Sequence, residues 1–270
     1  MNKIYSMNKI NALPNPLTSL PRIHRIPALL AIPLITVISA FSLSAQAWGW
    51  GKSVSGSGNI KIENRNVSDF KAISLSLPAT VELRQGTTEG LTIETDDNLL
   101  PLIETIVESG TLKLRPVDKG TNCKTKILKI VINLKNIDTL SVAGSGDFLA
   151  ASLKAVSLKV SVAGSGDVRI KSLTTDFLKI SIAGSGDLTA GGKAAVVEAS
   201  IAGSGNVRTD KLEAKNVKIS VAGSGDAVVW ATETLKLSIA GSGDIKYYGD
   251  AQVTKSIAGS GSVTRLGVAP

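Results

Sequence analysis

Histidine and cysteine are almost absent from this sequence, which contains one residue of each, His24 and Cys123. His24 lies in an N-terminal segment that we expect to be removed. The remaining chain then cannot form a Ser-His-Asp or Cys-His nucleophilic site, or a zinc site that includes histidine. A single cysteine also allows no intramolecular disulfide, so we expect Cys123 to be a small structural residue and the hydrophobic core to stabilise the fold.

Nucleotide-binding motifs are absent as well. The sequence has several Gly-Ser-Gly phrases, but Asp follows them where a phosphate-binding loop needs Lys, and no helix is predicted to begin there. The sequence therefore predicts no cofactor.

Residues 1–47 have the features of a signal peptide. Basic residues precede an apolar run over residues 26–43, and Ala45-Gln46-Ala47 supplies a small-x-small cleavage site. A retained membrane anchor is the alternative; Pro27 and Pro33 within the run favour removal. We expect an exported bacterial protein, in the periplasm or at the cell surface, with no integral membrane segment after cleavage. Which methionine starts translation, Met1 or Met7, stays open.

The basic charge of the chain does not predict a nucleic-acid partner. The formal charge is +8, and it falls to +4 without residues 1–47, because that segment holds four basic residues and no acidic one. A column of lysines runs along the repeats described below, but Glu198 interrupts it. Lysines on exposed strands ordinarily increase solubility and discourage edge pairing.

The phrase Ala-Gly-Ser-Gly-Asp recurs from Ala143 to the C-terminus. Its first glycines are separated by 20, 20, 19, 20, 18 and 18 residues. A fixed period of this size is typical of a solenoid. The seven corner glycines are Gly144, Gly164, Gly184, Gly203, Gly223, Gly241 and Gly259.

Aligning the repeats on this glycine shows strand periodicity. Apolar residues stand two, four and six residues before it, except at Asp138 and Lys255, with mostly Ser or charged residues between them. A further inward position is suggested by Leu153, Leu173 and Leu212. The pattern predicts an all-β fold, a single-stranded parallel β-helix of the usual right-handed form, with about 18–20 residues per coil. The residues two before the glycines are Val142, Val162, Ile182, Ile201, Val221, Ile239 and Ile257.

The acidic residue at five of the seven corners has two interpretations. Its side chain can accept hydrogen bonds from nearby backbone amides, which is the interpretation we favour. A calcium ladder is the alternative, although calcium-binding β-rolls use tandem nonapeptide repeats, and Asn206 and Ser262 occupy the same position without a charge. The candidate metal ligands are Asp147, Asp167, Asp187, Asp226 and Asp244.

The N-terminal part of the domain is less regular. Residues 48–58 are rich in Gly and Ser, and residues 59–137 contain strand signals without the corner period, whereas 138–266 carry the regular coils. Asp96-Asp97-Asn98 offers N-cap oxygens ahead of Pro101 and an apolar stretch. We therefore expect one short helix near 97–108 that covers the open end of the solenoid.

The ordered combination of these motifs resembles the bacterial GIN domain. The resemblance depends on Gly56-Ser57-Gly58-Asn59, on the Asp96 to Pro101 segment, on Gly110-Thr111-Leu112-Lys113-Leu114 and on the serial corners, and it covers residues 55–266. This family is described as an auto-transporter adhesin head domain and has no assigned function. The resemblance implies an exported parallel β-helix and supplies no catalytic residue.

Three aromatic residues form the candidate binding site. Trp230 and Tyr248 each stand seven residues after a corner glycine, so we expect them to stack on adjacent coils, with Tyr247 beside them. Such a cluster could hold a sugar ring or only shield the C-terminal end of the stack.

The function predicted from these features is a non-enzymatic envelope protein. Such a protein would present side-chain ladders to a glycan or protein partner, as a binding, adhesion or structural module. The alternative is a polysaccharide lyase or hydrolase on a β-helix, which needs carboxylates across a groove or a basic proton acceptor. The oligomeric state is left open.

Overall fold

The computed structural model describes residues 53–270, and Gly49–Pro270 forms one compact unit. The predicted signal peptide 1–47 and part of the 48–58 segment lie outside the described residues. The described chain is all-β, with eighteen strands and one turn of 3₁₀ helix. The strands are β1 Ser53–Ser55, β2 Ile60–Arg65, β3 Ala72–Leu75, β4 Thr80–Gln85, β5 Gly90–Asp96, β6 Ile103–Glu108, β7 Thr111–Pro116, β8 Asn122–Lys124, β9 Lys129–Leu134, β10 Thr139–Gly144, β11 Asp147–Gly164, β12 Val168–Gly184, β13 Leu188–Gly203, β14 Val207–Gly223, β15 Ala227–Gly241, β16 Ile245–Tyr248, β17 Gln252–Gly259 and β18 Val263–Gly267.

The C-terminal part is a parallel β-solenoid of about six turns, as predicted. Each of the strands β11 to β15 contains 15 to 18 residues and forms almost a whole coil. Successive coils pair in parallel, and the corner glycines are register partners throughout, from Gly144 with Gly164 to Gly241 with Gly259. The sequence period therefore corresponds to one turn of the stack.

Each regular coil bends at three places. In β12 the buried and exposed positions alternate, except at 171–172 and 176–177, where two consecutive side chains avoid the interior. The glycine corner is the third bend. Differences in coil length are absorbed at these bends: Ile170 pairs with Ala190 but Leu173 with Gly192, so the β13 coil has one residue fewer there.

The core is a continuous column of aliphatic side chains inside the coils. Most residues predicted to face inwards are buried, including Leu153, Leu173 and Leu212, which are no more than 1% exposed. The exception is in the last coil, where Ile257 is 40% exposed because no further coil covers it. Cys123 is also buried, and burial raises the pKa of its thiol, as expected for a structural residue.

The helix expected near 97–108 was a wrong prediction. The chain there forms one 3₁₀ turn, Leu100–Leu102, and then the strand β6. β6 pairs antiparallel with β7, and Ser109 and Gly110 connect them with φ of 50° and 73°. Two consecutive positive φ angles are those of a type I′ hairpin turn, and β-branched residues such as Ile106 and Val107 favour the strand.

Antiparallel pairing distinguishes the N-terminal region from the regular coils. β2 pairs with β5 and β5 with β9 in antiparallel register, whereas β3 and β4 pair in parallel with the first coils, β10 and β11. The oxygens predicted to cap a helix instead bind the 56–59 loop. Asp96 accepts hydrogen bonds from Gly58 N at 2.7 Å and from Thr125 Oγ1 at 2.6 Å, and Asp97 accepts one from Ser57 Oγ at 2.5 Å.

Candidate functional site

The corner aspartates form a ladder of hydrogen bonds along one edge of the solenoid. Asp147 Oδ1 accepts a hydrogen bond from the backbone N–H of Asp167 at 2.9 Å, and Asp167 Oδ1 accepts one from Asp187 at the same distance. Asn206 continues the ladder through its amide oxygen. In this arrangement each side chain caps the following coil.

The ladder continues to the last corner. Asp226 and Asp244 accept the backbone N–H groups of Asp244 and Ser262 at 2.8 and 2.9 Å. The hydrogen bonds from Ser262 lower the pKa of the Asp244 carboxyl. Among the described residues, no group of three or more acidic, cysteine or histidine side chains is placed to hold a metal ion. The carboxylates therefore lie in a single row, where one oxygen of each is occupied by a backbone amide.

Trp230 and Tyr248 lie side by side in adjacent coils. They are register partners of β15 and β16, and both are partly exposed. Neighbouring strands are roughly 4.8 Å apart, which allows the rings to stack. The next partner along the ladder is Gly267, which has no side chain to place over the Tyr248 ring. The whole outward ladder is Lys154, Thr174, Lys193, Glu213, Trp230, Tyr248 and Gly267.

Tyr247 does not share this surface. It is the register partner of Val229, which is 0% exposed, and it packs against the end of the core. Successive residues of a strand point to opposite faces, so Tyr247 lies inside the solenoid when Tyr248 lies outside. The structure thus brings Trp230 and Tyr248 together and separates Tyr247 from them.

A concavity of about 720 Å³ near the N-terminal coils was not found by the sequence reasoning. We call it the basic concavity. Its lining combines apolar residues, which we call its floor and which include Ile127, Leu149 and Ala151, with charged residues. The charged residues, which we call its rim, are Lys126, Lys129, Arg169, Lys171 and the acidic Glu82.

Tertiary structure creates the basic concavity from segments that are separate in the sequence. Glu82 on β4, Leu149 on β11 and Arg169 on β12 are successive members of one outward ladder. The loop before β9 adds Lys126 and Ile127. The only local signal was an apolar Leu149 at an outward position, where later coils carry Arg169 and Thr189.

The corner aspartates are not arranged as an opposed pair of carboxylates of the kind a glycosidase uses. The corner carboxylates lie in one row, and the described residues contain no histidine. None of the helical structure in residues 53–270 has the length and apolar composition of a membrane span.

One family model covers most of the repeats and corners. The model of the family described as "Putative auto-transporter adhesin, head GIN domain" matches residues 69–251. The chain belongs to the GIN domain family. The coil that contains β17 and β18 continues the GIN solenoid beyond the matched range.

Several solved structures have the same fold. A "Putative lipid binding protein" from Parabacteroides distasonis is 30% identical, with a TM-score of 0.69 over 80% of this chain and 100% of that chain. A "putative adhesin" from Bacteroides fragilis is 28% identical, with a TM-score of 0.74 over 79% and 100%. A "putative adhesin" from Parabacteroides merdae, 24% identical with a TM-score of 0.65 over 80% and 100%, shows the fold alone. No curated protein matches the GIN chain.

Proposed function

We propose that this chain is an exported, non-enzymatic module of the bacterial cell envelope that binds a glycan or protein partner through its outward side-chain ladders. The family description as an adhesin head and the adhesin name of the Bacteroides fragilis structure support a binding or adhesion module. The same description supports an exported or surface location, in agreement with the signal peptide predicted over residues 1–47.

The pairing of Trp230 with Tyr248 is the observation that carries this proposal. Two partly exposed aromatic residues on adjacent coils form a preorganised apolar platform. A sugar ring can stack on such a surface at little cost in conformational entropy of the protein. A protein partner with an aliphatic or aromatic side chain could use the same platform.

The non-enzymatic part of the proposal rests on how the corner carboxylates, the candidate catalytic groups, are arranged. Catalysis of polysaccharide cleavage needs a positioned acid and base on opposite sides of the bond. The corner carboxylates are in one row, and their Oδ1 atoms accept backbone hydrogen bonds. We expect no release of reducing or unsaturated ends from envelope polysaccharides incubated with the protein; such release would contradict this part of the proposal.

A glycan array and a peptidoglycan pull-down on residues 49–270 test the aromatic platform. We expect binding to be lost when Trp230→Ala and Tyr248→Ala are combined. Phe177→Ala is the matched control, because Phe177 is also a partly exposed aromatic residue but lies on a different ladder, with Ser157 and Val196 as its partners. Equal binding by the double variant and the wild type would contradict the assignment of the site.

The same experiment tests the metal alternative at the corners. Binding is repeated in the presence of a calcium chelator, with Asp187→Asn as a variant that keeps an acceptor oxygen for the backbone and for Asn206. We expect neither change to affect binding. Chelator sensitivity that disappears in the variant would favour a calcium ladder instead.

A further inference from the structure

The cations around the basic concavity are only partly neutralised. Lys129 Nζ lies 3.5 Å from Glu82, and Arg169 Nη2 lies 2.6 Å from Asp167. Glu82 is shared with Arg84, whose Nε is 2.8 Å away. These interactions leave an excess of positive charge along this face of the first coils.

Two of the four rim cations are available for another partner. Lys126 and Lys171 are exposed, and neither lies within 4.0 Å of a carboxylate in residues 53–270. A ligand that reached the concavity would therefore meet two lysines that form no ion pair there.

The floor of the concavity is apolar although it lies among charges. Ile127 is 40% exposed, and Leu149 is partly exposed at an outward position. The fold does not require leucine there, because the next two members of the same ladder are Arg169 and Thr189. A soluble polyanion would interact with the cations but would gain no binding energy from contact with this apolar floor.

We propose that the basic concavity docks onto the headgroups of an anionic lipid bilayer. In this arrangement Lys126 and Lys171 contact lipid phosphates, while the glycerol and the first acyl carbons of a lipid enter the concavity and contact Ile127 and Leu149. Charge complementarity selects the anionic lipid, since basic clusters are attracted to negatively charged membrane surfaces. Exposed apolar side chains within such a cluster add burial at the boundary between headgroups and acyl chains.

Vesicle co-sedimentation of residues 49–270 tests this inference without interference from the apolar 26–43 run. Vesicles of phosphatidylglycerol mixed with phosphatidylcholine are compared with phosphatidylcholine alone at 0.1 M salt. We expect binding only to the anionic vesicles. Combining Lys126→Gln with Lys171→Gln should lower the partition coefficient by about thirty-fold. Each lysine near an anionic surface contributes a factor of about five to the partition coefficient.

The matched control removes the same charge from another face. Lys218 and Lys236 are exposed register partners in the strand segments before the corner, and neither forms an ion pair within the described residues. Combining Lys218→Gln with Lys236→Gln should leave vesicle binding within about threefold of the wild type. Equal losses in the two double variants would overturn the inference, because they would show attraction by net charge only.

A second variant tests the apolar floor. Leu149→Thr introduces the residue type found two coils later, so the fold should tolerate it. We expect weaker binding to anionic vesicles but unchanged binding to heparin, a soluble polyanion. Vesicle binding that is unaffected by Leu149→Thr, or absent from the wild type, would overturn the inference.

The aromatic platform gives an independent check. Trp230 and Tyr248 lie in later coils than the concavity, so the variant that combines Trp230→Ala with Tyr248→Ala should keep its vesicle binding. Loss of vesicle binding in that variant would overturn the assignment to the basic concavity. Failure of the glycan experiment would leave the lipid inference unaffected, because the two surfaces share no residue.

Discussion

The corner glycines are needed for conformation and for space. Gly184 has a φ of 128°, which side chains of L-residues rarely adopt, and a Cβ built on it would lie 2.4 Å from Gly164 O in the preceding coil. Gly144 has a φ of 106°, but a Cβ on it would meet nothing within 4 Å. Both positions therefore have the strained backbone conformation, but only Gly184 also lacks space for a side chain.

Gly184→Ala should therefore destabilise the protein more than Gly144→Ala. The strain at positive φ is on the order of 1–3 kcal/mol in both variants. At Gly184 the clash with a backbone oxygen should add about 1–3 kcal/mol, because the coil can move away only by breaking its ladder. Urea unfolding of both variants measures the difference, and equal losses of stability would contradict the close stacking of the corners.

Asp96 links stability to pH. It is 4% exposed, and the hydroxyl of Thr125 and the backbone N–H of Gly58 hold the pKa of its carboxyl below the ordinary value. A lowered folded-state pKa stabilises the fold above the unfolded-state pKa, which is about 3.9 for Asp. This stabilisation is lost as the pH falls from there through the folded-state pKa.

Asp96→Asn should therefore lower the melting temperature at pH 7, and the difference from the wild type should shrink below about pH 4. The control is Asp176→Asn. Asp176 is exposed, so this substitution should hardly change the melting temperature. Melting temperatures at pH 7, 5 and 3 provide the measurement. A difference that stays constant over this range would show that the charge of Asp96 does not contribute.

At the scale of elements, the N-terminal cap depends on one arginine. The Arg65 side chain is 18% exposed and donates from Nη2 to Leu100 O at 2.9 Å and from Nη1 to Ile103 O at 2.6 Å. These carbonyls belong to the 3₁₀ turn and to the start of β6. The planar guanidinium therefore attaches β2 to the β6–β7 hairpin.

Arg65→Lys should loosen the hairpin, since an ammonium cannot reproduce this fork of donors. We expect a loss of about 1–3 kcal/mol and faster amide hydrogen exchange over residues 103–116. Arg84→Lys is the matched control: Arg84 also pairs with a glutamate two residues earlier, but its side chain is 58% exposed. Unchanged exchange in the Arg65 variant would contradict the attachment.

At the scale of the whole molecule, the C-terminal end of the stack carries charge where earlier coils carry apolar side chains. Lys255 is the register partner of Leu237, and Arg265 is the partner of Tyr247. Arg265 also donates to Gly249 O and pairs with Asp250. Polar terminal repeats protect a solenoid from pairing through its open strand edge.

Replacing Lys255 by Leu and Arg265 by Tyr together should cause association. The double variant extends the apolar core to an exposed strand edge, so we expect dimers or larger species by light scattering at concentrations where the wild type does not associate further. Lys236→Leu removes one positive charge from an outward position and should not change the mass. An unchanged mass in the double variant would show that other features protect this end.

Much of the fold could be predicted because the repeats are related by translation. Once the corner glycines are aligned, every inward column follows from alternation, and so does the pairing of Trp230 with Tyr248. The same alternation should have placed Tyr247 on the opposite face. The domain limits at 47 and 58 stay predictions.

The sequence by itself determined the parallel solenoid, its period and its ladders, because each coil repeats the same local pattern. Only tertiary structure decided the N-terminal cap, where β6 became a strand by pairing with β7 across Ser109–Gly110. It also decided the basic concavity, in which Lys126 and Leu149 come from segments that do not repeat one another. Contacts between unrelated segments depend on how the whole chain packs, and no local period encodes them.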